Sequence, residues 1–474
     1  MVLSLADILE GLTGVKHPNA ALNISEAAVD SRQIIPGALF IPLPGGRTDG
    51  HEFVSDAFNR GASLAFINQD MPGSPFPIVD LRTGFSELST LPSAPFCLRV
   101  NDALESLQKV AAFWRRKHNI RVIGITGSVG KSSTKELVAD VLGQRYRTLR
   151  NPGNLNNEIG LPLTLLRLGA GYERVVLEMG FYFPGEITFL CDIALPSVGV
   201  VTNVGTVHAE RAGSQEDIAR GKAELPQALP PAPEGTAILN YDDPWVRPMA
   251  SQTKAKVIYY GMTPEAHLWA DDIEGLGLKG IRFQLHYGEE TIHMRVPMIG
   301  RHSVHTILRA AAVGLAEGLD WSEILTALQN SSSQLRLVTV RTENGALLLD
   351  DTYNASPEST LAALNLLSEL KGRRVAVLGE MLELGQYEAA GHEMVGVRAA
   401  EVVDQLIAVG SRAQMIADAA LRSGMPVDSV QWVATVPEAT EALRSLIKAE
   451  DVVLVKGSHG LRMGRIIAAL EAAS

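Results

Sequence analysis

Cysteine, long apolar runs and surplus positive charge are all scarce in this chain of 474 residues. The only two cysteines, Cys97 and Cys191, are too few for a disulfide framework or a zinc cluster. No run of about 18 apolar residues occurs, so we expect no membrane-spanning helix. The first residues lack a basic segment and include Asp7 and Glu10, so we also expect no signal peptide.

The charge balance is acidic, with 42 basic and 53 acidic side chains and a net charge of −11. An acidic excess of this size argues against a nucleic-acid-binding surface and against docking on an anionic membrane, but it allows a local basic pocket for phosphates. At roughly 100–200 residues per domain, the length predicts two to four domains. Composition therefore predicts a soluble, multidomain, cytoplasmic protein, and it does not select a reaction.

Three stretches of the chain differ in their pattern. Residues 1–98 alternate short apolar runs with glycine and proline, which is typical of a small α/β domain. Residues 99–331 alternate strands and helices, which predicts parallel strands in a doubly wound sheet. A second alternating section fills residues 332–474, after a polar run of serines. The strands that we predict in the central stretch are 121–126, 175–178, 198–202 and 236–239.

A glycine-rich turn lies between the strand 121–126 and a helix predicted over 134–142. Its glycines let successive N–H groups face phosphate oxygens at a helix N-terminus. We expect Lys131 to reach the β- and γ-phosphates and the Ser132 hydroxyl to bind Mg²⁺. The loop is a variant, because the first glycine of the usual P-loop pattern falls on Ile125 here. The residues predicted to bind the nucleotide are Gly127, Ser128, Val129, Gly130, Lys131, Ser132 and Ser133.

Two other interpretations of this turn are weaker. One is an ordinary Gly/Ser turn before a helix, and the other is a dinucleotide-binding fingerprint, in which the lysine has no part. The strand–loop–helix context favours binding of ATP or GTP.

Further motifs follow the turn in a definite order. Taken together, they resemble those of the ATP-dependent Mur ligase family of peptidoglycan synthesis, and the resemblance covers essentially the whole chain. It implies an N-terminal domain for a UDP-sugar substrate, a central ATPase and a C-terminal Rossmann-like domain that brings an incoming dipeptide. The motifs are Asn-Pro-Gly-Asn-Leu-Asn-Asn-Glu at 151–158, Leu-Glu-Met-Gly at 177–180, Thr-Asn-Val-Gly-Thr-Val-His at 202–208, Lys-Ala-Glu at 222–224 and Asp-Asp-Thr-Tyr-Asn at 350–354.

Four signals narrow the resemblance within the family: Asp-Ser-Arg at 30–32, Asp-Gly-His at 49–51, Asn-Leu-Asn-Asn-Glu-Ile-Gly-Leu-Pro at 154–162 and Val-Leu-Gly-Glu-Met-Leu-Glu-Leu-Gly at 377–385. They resemble members that add D-alanyl-D-alanine to a UDP-N-acetylmuramoyl tripeptide. This implies that the γ-phosphate of ATP passes to the substrate carboxylate, giving an acyl phosphate that the dipeptide amine attacks. The implied partners are small molecules, and we expect a monomer in the cytoplasm.

The resemblance also implies two Mg²⁺ ions and the side chains that hold them. Glu178 ends a strand, where a doubly wound sheet places its ligands, and is implied to share one ion with Ser132. His208 matches the ligand of the second ion. Lys222 matches a lysine that CO₂ carbamylates, and the resulting carbamate helps to hold that ion. Without the resemblance, Lys222 reads as a solvated helical lysine and His208 as a structural hydrogen-bonding residue. The implied catalytic residues are Lys131, His208 and Lys222.

Other positions are implied to bind substrates. Their alternative interpretations are turn residues, a surface charge and a polar loop that caps the following helix. Asn240, Arg336 and Asp351 match nucleotide contacts, Ser31 and Arg32 match the uridine-diphosphate site, and Asn154, Asn156, Asn157 and Glu158 match the muramoyl-peptide path.

The chain departs from the family pattern at Ser303 and Thr306, which replace two amides, and at Gly464, which replaces a glutamate. The first two put adenine contacts from that segment in doubt. Two rival functions remain open at this point: a folate- or cyanophycin-type ligase, and a P-loop regulatory ATPase that ligates nothing. The sequence does not identify the third residue of the tripeptide, lysine or diaminopimelate.

Overall fold

The computed structural model describes residues 2–17, 20–46, 48–82, 91–330 and 338–471. Its strands form three sheets, of five, nine and six strands. The predicted α/β class, with a doubly wound central sheet and flanking N- and C-terminal α/β parts, is confirmed. The domain limits 1–98, 99–331 and 332–474 stay predictions, and the limit at 331 lies outside the described residues.

The first sheet has five strands in the order β1-β2-β3-β5-β4, all in parallel pairs. Apolar side chains from this sheet and from α2, including Phe40, Val54 and Phe58, form its core. The elements of this part are α1 (Leu5–Thr13), β1 (Ala27–Ala28), β2 (Leu39–Phe40), α2 (Val54–Asn59), β3 (Leu64–Ile67), β4 (Ile78–Asp80) and β5 (Phe96–Arg99).

The second sheet contains the glycine-rich turn. Its strands and helices are α3 (Ala103–Arg116), β6 (Arg121–Thr126), α4 (Lys131–Leu142), β7 (Thr148–Arg150), α5 (Gly160–Leu166), β8 (Arg174–Glu178), α6 (Glu186–Ala194), β9 (Val198–Val201), α7 (Ala209–Ala212), α8 (Gln215–Ala228), β10 (Thr236–Asn240), β11 (Lys256–Gly261), β12 (Leu268–Gly275), β13 (Ile281–Tyr287), β14 (Glu290–Val296), α9 (Ser303–Ala316) and α10 (Trp321–Asn330). The strand order is β14-β13-β12-β11-β10-β9-β6-β8-β7. Helix α3 packs against α5 and α6, and α4 packs against α9 and α10.

One end of the second sheet departs from the predicted parallel pattern. Strands β12, β13 and β14 pair in antiparallel fashion, whereas β10, β11 and β12 pair in parallel. In β13, buried residues alternate with more exposed ones from Ile281 to Leu285, as expected for a strand with one solvated face. We did not predict this ribbon, because its apolar alternation lacks the continuous runs of the buried parallel strands.

The third sheet has the order β15-β16-β20-β17-β18-β19, and only the β15–β16 pair is antiparallel. Alternate residues of its strands face opposite sides: Leu349 packs with α11, α12 and α13, while Leu348 packs with α14 and α15. Helices on both faces make this part doubly wound. Its elements are β15 (Val338–Arg341), β16 (Leu347–Asp351), α11 (Pro357–Glu369), β17 (Arg373–Gly379), α12 (Glu388–Val402), β18 (Gln405–Val409), α13 (Gln414–Arg422), β19 (Val430–Val433), α14 (Val436–Leu446), β20 (Asp451–Lys456) and α15 (Gly464–Leu470).

The chain divides into two compact units. The first comprises Met1–Gly124, Tyr146–Gly180 and Glu186–Val198, and the second comprises Ile125–Arg145, Phe181–Gly185 and Gly199–Ser474. Among the described residues, no helix combines the length and the apolar composition that crossing a bilayer requires.

Candidate active site

The glycine-rich turn connects β6 to α4, and its two glycines adopt conformations that other residues avoid. Gly127 has φ +143° and Gly130 has φ +84°. A Cβ on Gly127 would lie 1.8 Å from the Thr202 hydroxyl oxygen, so no larger residue fits without displacing that side chain. Helix α4 begins at Lys131, three residues before the predicted start at Thr134. The earlier start places Lys131, Ser132 and Ser133 in the first helical turn, where unpaired N–H groups favour an anion.

The segment after β9 braces this turn through a set of short hydrogen bonds. The Asn203 side chain accepts the Val129 N–H at 2.9 Å and donates to the Val129 carbonyl at 3.1 Å. The Thr202 hydroxyl donates to the same carbonyl at 2.7 Å. The Ser128 hydroxyl accepts the N–H of Gly205 at 2.8 Å. The turn is therefore held in one shape before any ligand arrives, although we had assigned no role to Thr202 or Asn203.

The Lys131 ammonium bends back over the turn. It donates to the carbonyls of Gly127 at 2.8 Å and Ser128 at 3.2 Å. The Ser132 side chain is buried and Ser133 is half-buried. Lys131 thus lies at the rim of the turn, where it can move from two carbonyl oxygens to the oxygens of a phosphate chain.

His208 adopts a left-handed backbone conformation, with φ +72°, at the start of α7. Its Nδ1 lies 2.7 Å from a carboxylate oxygen of Glu383, and the ring of Tyr182 contacts it edge-on with centroids 4.8 Å apart. Burial, together with the charges of Lys131 and Lys222, lowers the pKa of His208 to about 3. The imidazole is therefore neutral at neutral pH, as a metal-binding histidine must be. We had predicted His208 but not its partner, Glu383.

Lys222 is buried in α8, with 1% of its surface exposed. Its Nζ lies over the ring of Phe181, 4.8 Å from the centroid. Burial, and then the neighbouring charge of Lys131, lower the pKa of Lys222 well below its usual value. A Cβ on Gly221 would lie 2.0 Å from the Phe181 ring, so the ring can pack here because residue 221 has no side chain. The solvated helical lysine that we considered as an alternative is therefore wrong.

Glu178 ends β8 and is buried, with 3% of its surface exposed. The Asn156 amide donates to its carboxylate at 2.9 Å. The Asn151 side chain accepts the Glu178 N–H at 2.9 Å and donates to its carbonyl at 3.2 Å. The loop 151–158 thus fixes both the backbone and the carboxylate of Glu178, and Asn151 is a supporting residue that we had not assigned.

The other predicted residues of this loop differ in their surroundings. Asn157 accepts the N–H groups of Ile159 at 3.3 Å and Gly160 at 2.9 Å, so it does cap the helix that follows. Asn154 and Glu158 are exposed to solvent. These two contacts use the side-chain oxygen of Asn157. They do not exclude a contact between its NH₂ group and a substrate.

Ser31 and Arg32 lie in a short 3₁₀ turn that Asp30 caps. Ser31 is buried. The Arg32 guanidinium is 82% exposed and pairs with Asp30 at 2.7 Å. Asp30 thus holds an exposed arginine at the surface of the first sheet, a suitable arrangement for an anionic ligand.

The predicted nucleotide-binding residues also carry structural contacts. The Asn240 amide donates to the Thr202 carbonyl at 2.9 Å, and Asp351 pairs with the buried Lys456 at 2.7 Å. Arg336 lies outside the described residues.

The positions that depart from the family pattern have partners as well. The Ser303 hydroxyl donates to the Ile299 carbonyl at 2.7 Å, and Thr306 accepts from Arg309 at 2.7 Å. Arg309 is buried, and its guanidinium lies 3.1 Å from the place that a Cβ on Gly130 would take. A Cβ on Gly464 would lie 3.3 Å from the Thr352 hydroxyl, so a larger residue there would crowd Thr352.

Within the described ranges, no three His, Cys, Asp or Glu side chains are arranged to hold a metal ion.

Comparison with known protein families gives three matches along the chain. The model of the Mur ligase middle domain matches residues 125–314. The model described as Mur ligase, glutamate ligase domain, matches residues 335–459, and that described as Mur ligase family, catalytic domain, matches residues 23–73.

Individual relatives match over nearly the full length. The UDP-N-acetylmuramoyl-tripeptide–D-alanyl-D-alanine ligase of Mycobacterium tuberculosis is 35% identical over 503 residues, covering 99% of this chain and 97% of the relative. A crystal structure of MurF from Acinetobacter baumannii has a TM-score of 0.84 at 28% identity, covering 99% of this chain and 98% of that one. MurF ligase from Thermotoga maritima, solved in complex with ADP, has a TM-score of 0.78 at 26% identity, covering 94% and 96%.

Proposed function

This chain belongs to the Mur ligase family, and we propose that it joins D-alanyl-D-alanine to UDP-N-acetylmuramoyl tripeptide at the expense of ATP. The observation that carries the proposal is the braced turn Gly127–Ser133 at the N-terminus of α4, in a chain whose full-length relatives bear the name of this reaction. The folate- and cyanophycin-type alternatives are not favoured, because the match to these relatives extends through the N-terminal sheet. A regulatory ATPase is likewise not favoured.

The chemistry requires activation of a carboxylate, since joining it to an amine in water is uphill. Transfer of the γ-phosphoryl group of ATP to the tripeptide carboxylate gives an acyl phosphate and ADP. The dipeptide amine then attacks the carbonyl carbon, and inorganic phosphate leaves. The enzyme's task is to align anions and offset their repulsion. We assign the β- and γ-phosphates to Lys131 and to the N–H groups of residues 127–133, and further nucleotide contacts to Asn240, Arg336 and Asp351.

Magnesium is the cation that this chemistry implies, and the donors present fit it. We propose two ions: the Ser132 hydroxyl and the buried Glu178 carboxylate hold the first, and the neutral His208 imidazole is a ligand of the second. When bound, magnesium neutralises charge that develops on the phosphates during transfer.

We propose that Lys222, in carbamylated form, helps His208 to hold the second ion. Only a neutral amine attacks CO₂, and the lowered pKa of Lys222 makes the neutral form available. The amine nitrogen bonds to the carbon of CO₂ and loses a proton, which leaves a carbamate with one negative charge. This carbamate replaces an ammonium that would repel both Lys131 and a metal ion, and it supplies the oxygen donors that magnesium prefers.

The substrate contacts follow from the surroundings of the remaining residues. We propose that Ser31 and Arg32 bind the uridine diphosphate and that Asn154, Asn156, Asn157 and Glu158 line the path of the muramoyl peptide. We further propose that the protein works in the cytoplasm as a monomer.

Phosphate release tests the function directly. We expect release only when ATP, UDP-N-acetylmuramoyl tripeptide and D-alanyl-D-alanine are all present, and Lys131→Ala should abolish it. Tripeptides that end in lysine and in diaminopimelate are compared in parallel. Release that ignores the tripeptide and the dipeptide would identify a regulatory ATPase instead.

A further inference from the structure

The chain segment after β17 reaches the segment that carries His208. We call residues 380–388 the Glu383 loop. The Glu383 carbonyl accepts the N–H of Glu210 at 3.3 Å, and the Tyr387 hydroxyl accepts the N–H of Gln215 at 3.3 Å. A Cβ on Gly385 would lie 2.8 Å from the Glu210 Cα, so the two backbones are in close contact. The loop therefore meets the His208 segment at several points along its length.

The Glu383 loop is held in shape by the third sheet and its helices. The Met381 N–H donates to the buried His392 ring at 3.0 Å, and the Leu382 N–H donates to the Ser458 hydroxyl at 2.9 Å. The Glu380 carboxylate accepts the N–H of Arg412 at 3.0 Å. None of these three contacts involves the His208 segment. These contacts fix the conformation of the loop, and with it the position of Glu383, independently of the His208 segment.

Glu383 itself has a strained backbone, with φ +65°, a conformation that a non-glycine residue keeps only where its surroundings require it. Its carboxylate lies between two partners: one oxygen is 2.7 Å from His208 Nδ1, and the other is 3.6 Å from the Arg211 guanidinium. Arg211 in turn stacks over the ring of Tyr182, which contacts His208. The strain and the two contacts point to a specific placement of this carboxylate.

From this geometry we propose that Glu383 is a positioning residue, which selects the tautomer of His208 that carries its proton on Nδ1 and leaves the lone pair on Nε2. An ionised carboxylate only accepts hydrogen bonds, so a neutral imidazole beside it must donate from Nδ1. Carboxylate partners fix metal-binding histidines in this way. The proposal rests on the proposed function in one respect, the role of His208 as a magnesium ligand.

The consequence concerns the Nε2 lone pair of His208. Loss of the Glu383 contact leaves a histidine that is free to place its proton on Nε2, where a metal ion would otherwise bind.

Nitrogen NMR of histidine-labelled, metal-free full-length protein tests the tautomer without any reaction. The chain has 11 histidines, and His208→Gln identifies the signal by its loss. We expect the Nδ1–H tautomer in the wild type and in Glu383→Gln, whose amide oxygen still accepts the proton. Glu383→Ala should shift His208 toward the Nε2–H form. Glu210→Gln is the matched control, since it removes an exposed carboxylate from the same segment.

Phosphate release as a function of Mg²⁺ concentration provides the second readout. We expect Glu383→Ala to raise the Mg²⁺ concentration for half-maximal rate by about 10–100-fold, with an unchanged KM for the tripeptide, and Glu383→Gln to recover part of the loss. Thermal melting confirms that each variant is folded.

Two results would overturn the positioning role: an unchanged His208 tautomer in Glu383→Ala, or an unchanged Mg²⁺ requirement in that variant. A wild-type enzyme that forms no amide product would refute the proposed function instead, and the NMR result would still decide the tautomer.

Discussion

Replacing Gly127 by alanine tests whether the shape of the phosphate turn governs ATP binding. The new Cβ would lie 1.8 Å from the Thr202 hydroxyl oxygen, 2.9 Å from the Thr202 Cβ and 3.1 Å from its nitrogen. Rotation of the threonine side chain relieves only the first of these contacts, because the other two involve atoms close to the backbone. The turn must therefore move away from the segment that braces it.

Three effects contribute to the magnitude. Overpacking of this kind typically costs about 1–3 kcal/mol. The φ of +143° adds about 1–3 kcal/mol for a residue with a side chain. Displacing Thr202 breaks its 2.7 Å hydrogen bond to the Val129 carbonyl, a loss of about 1 kcal/mol. A combined penalty of about 3 kcal/mol or more on the binding-competent shape corresponds to an ATP affinity lower by about 100-fold.

Calorimetric titration with ATP measures this loss, and thermal melting confirms that the variant is folded. Gly288→Ala is the matched control, because Gly288 also has a positive φ, +58°, but a Cβ there meets nothing within 4 Å. The control should lower stability slightly and leave ATP affinity unchanged. An ATP affinity of Gly127→Ala equal to that of the control would refute the reasoning.

Three further predictions concern other parts of the chain. Lys222→Ala should nearly abolish amide formation, and a short-chain carboxylic acid should restore part of it; unchanged product formation would remove the carbamate from the mechanism. Asn203→Ala removes two hydrogen bonds to Val129 and should raise the KM for ATP by about 10–30-fold, measured by phosphate release. Asp7 completes the capping box of α1, whose N-cap is Ser4, and pairs with Lys117. Burial raises the pKa of Asp7, but the hydrogen bonds to Lys117 and Ser4 together outweigh it and lower the pKa. Its contribution is thus complete above pH about 4 and is lost as pH falls through the lowered pKa. Asp7→Asn should destabilise the protein by about 1 kcal/mol at pH 7 and by less in acid, as urea unfolding at each pH will show.

The local chemistry of the phosphate turn was predictable because it depends on neighbours in sequence. Gly127 and Gly130 supply the backbone conformations, β6 leads into the turn, and α4 offers its N-terminus. Lys222 was identified only through family resemblance. Its helix has an ordinary polar pattern, and its burial under Phe181 depends on tertiary packing.

Long-range partners were not predictable for a physical reason. Glu383 and His208 are separated by 175 residues, and no periodicity or spacing links them. The same holds for Arg309, whose burial beside Gly130 reflects the packing of α9 on α4. The antiparallel ribbon β12–β14 was missed because its half-exposed strands carry a weaker apolar signal than buried parallel strands.

Oxygen transfer from the tripeptide tests the central claim most directly. The substrate carboxylate is labelled with ¹⁸O, and the inorganic phosphate released during amide formation is analysed by mass spectrometry. If the γ-phosphoryl group passes to that carboxylate, each phosphate released with product carries one ¹⁸O atom from the tripeptide. Unlabelled phosphate accompanying full product formation would contradict an acyl phosphate, and with it the role that we assign to the turn around Lys131.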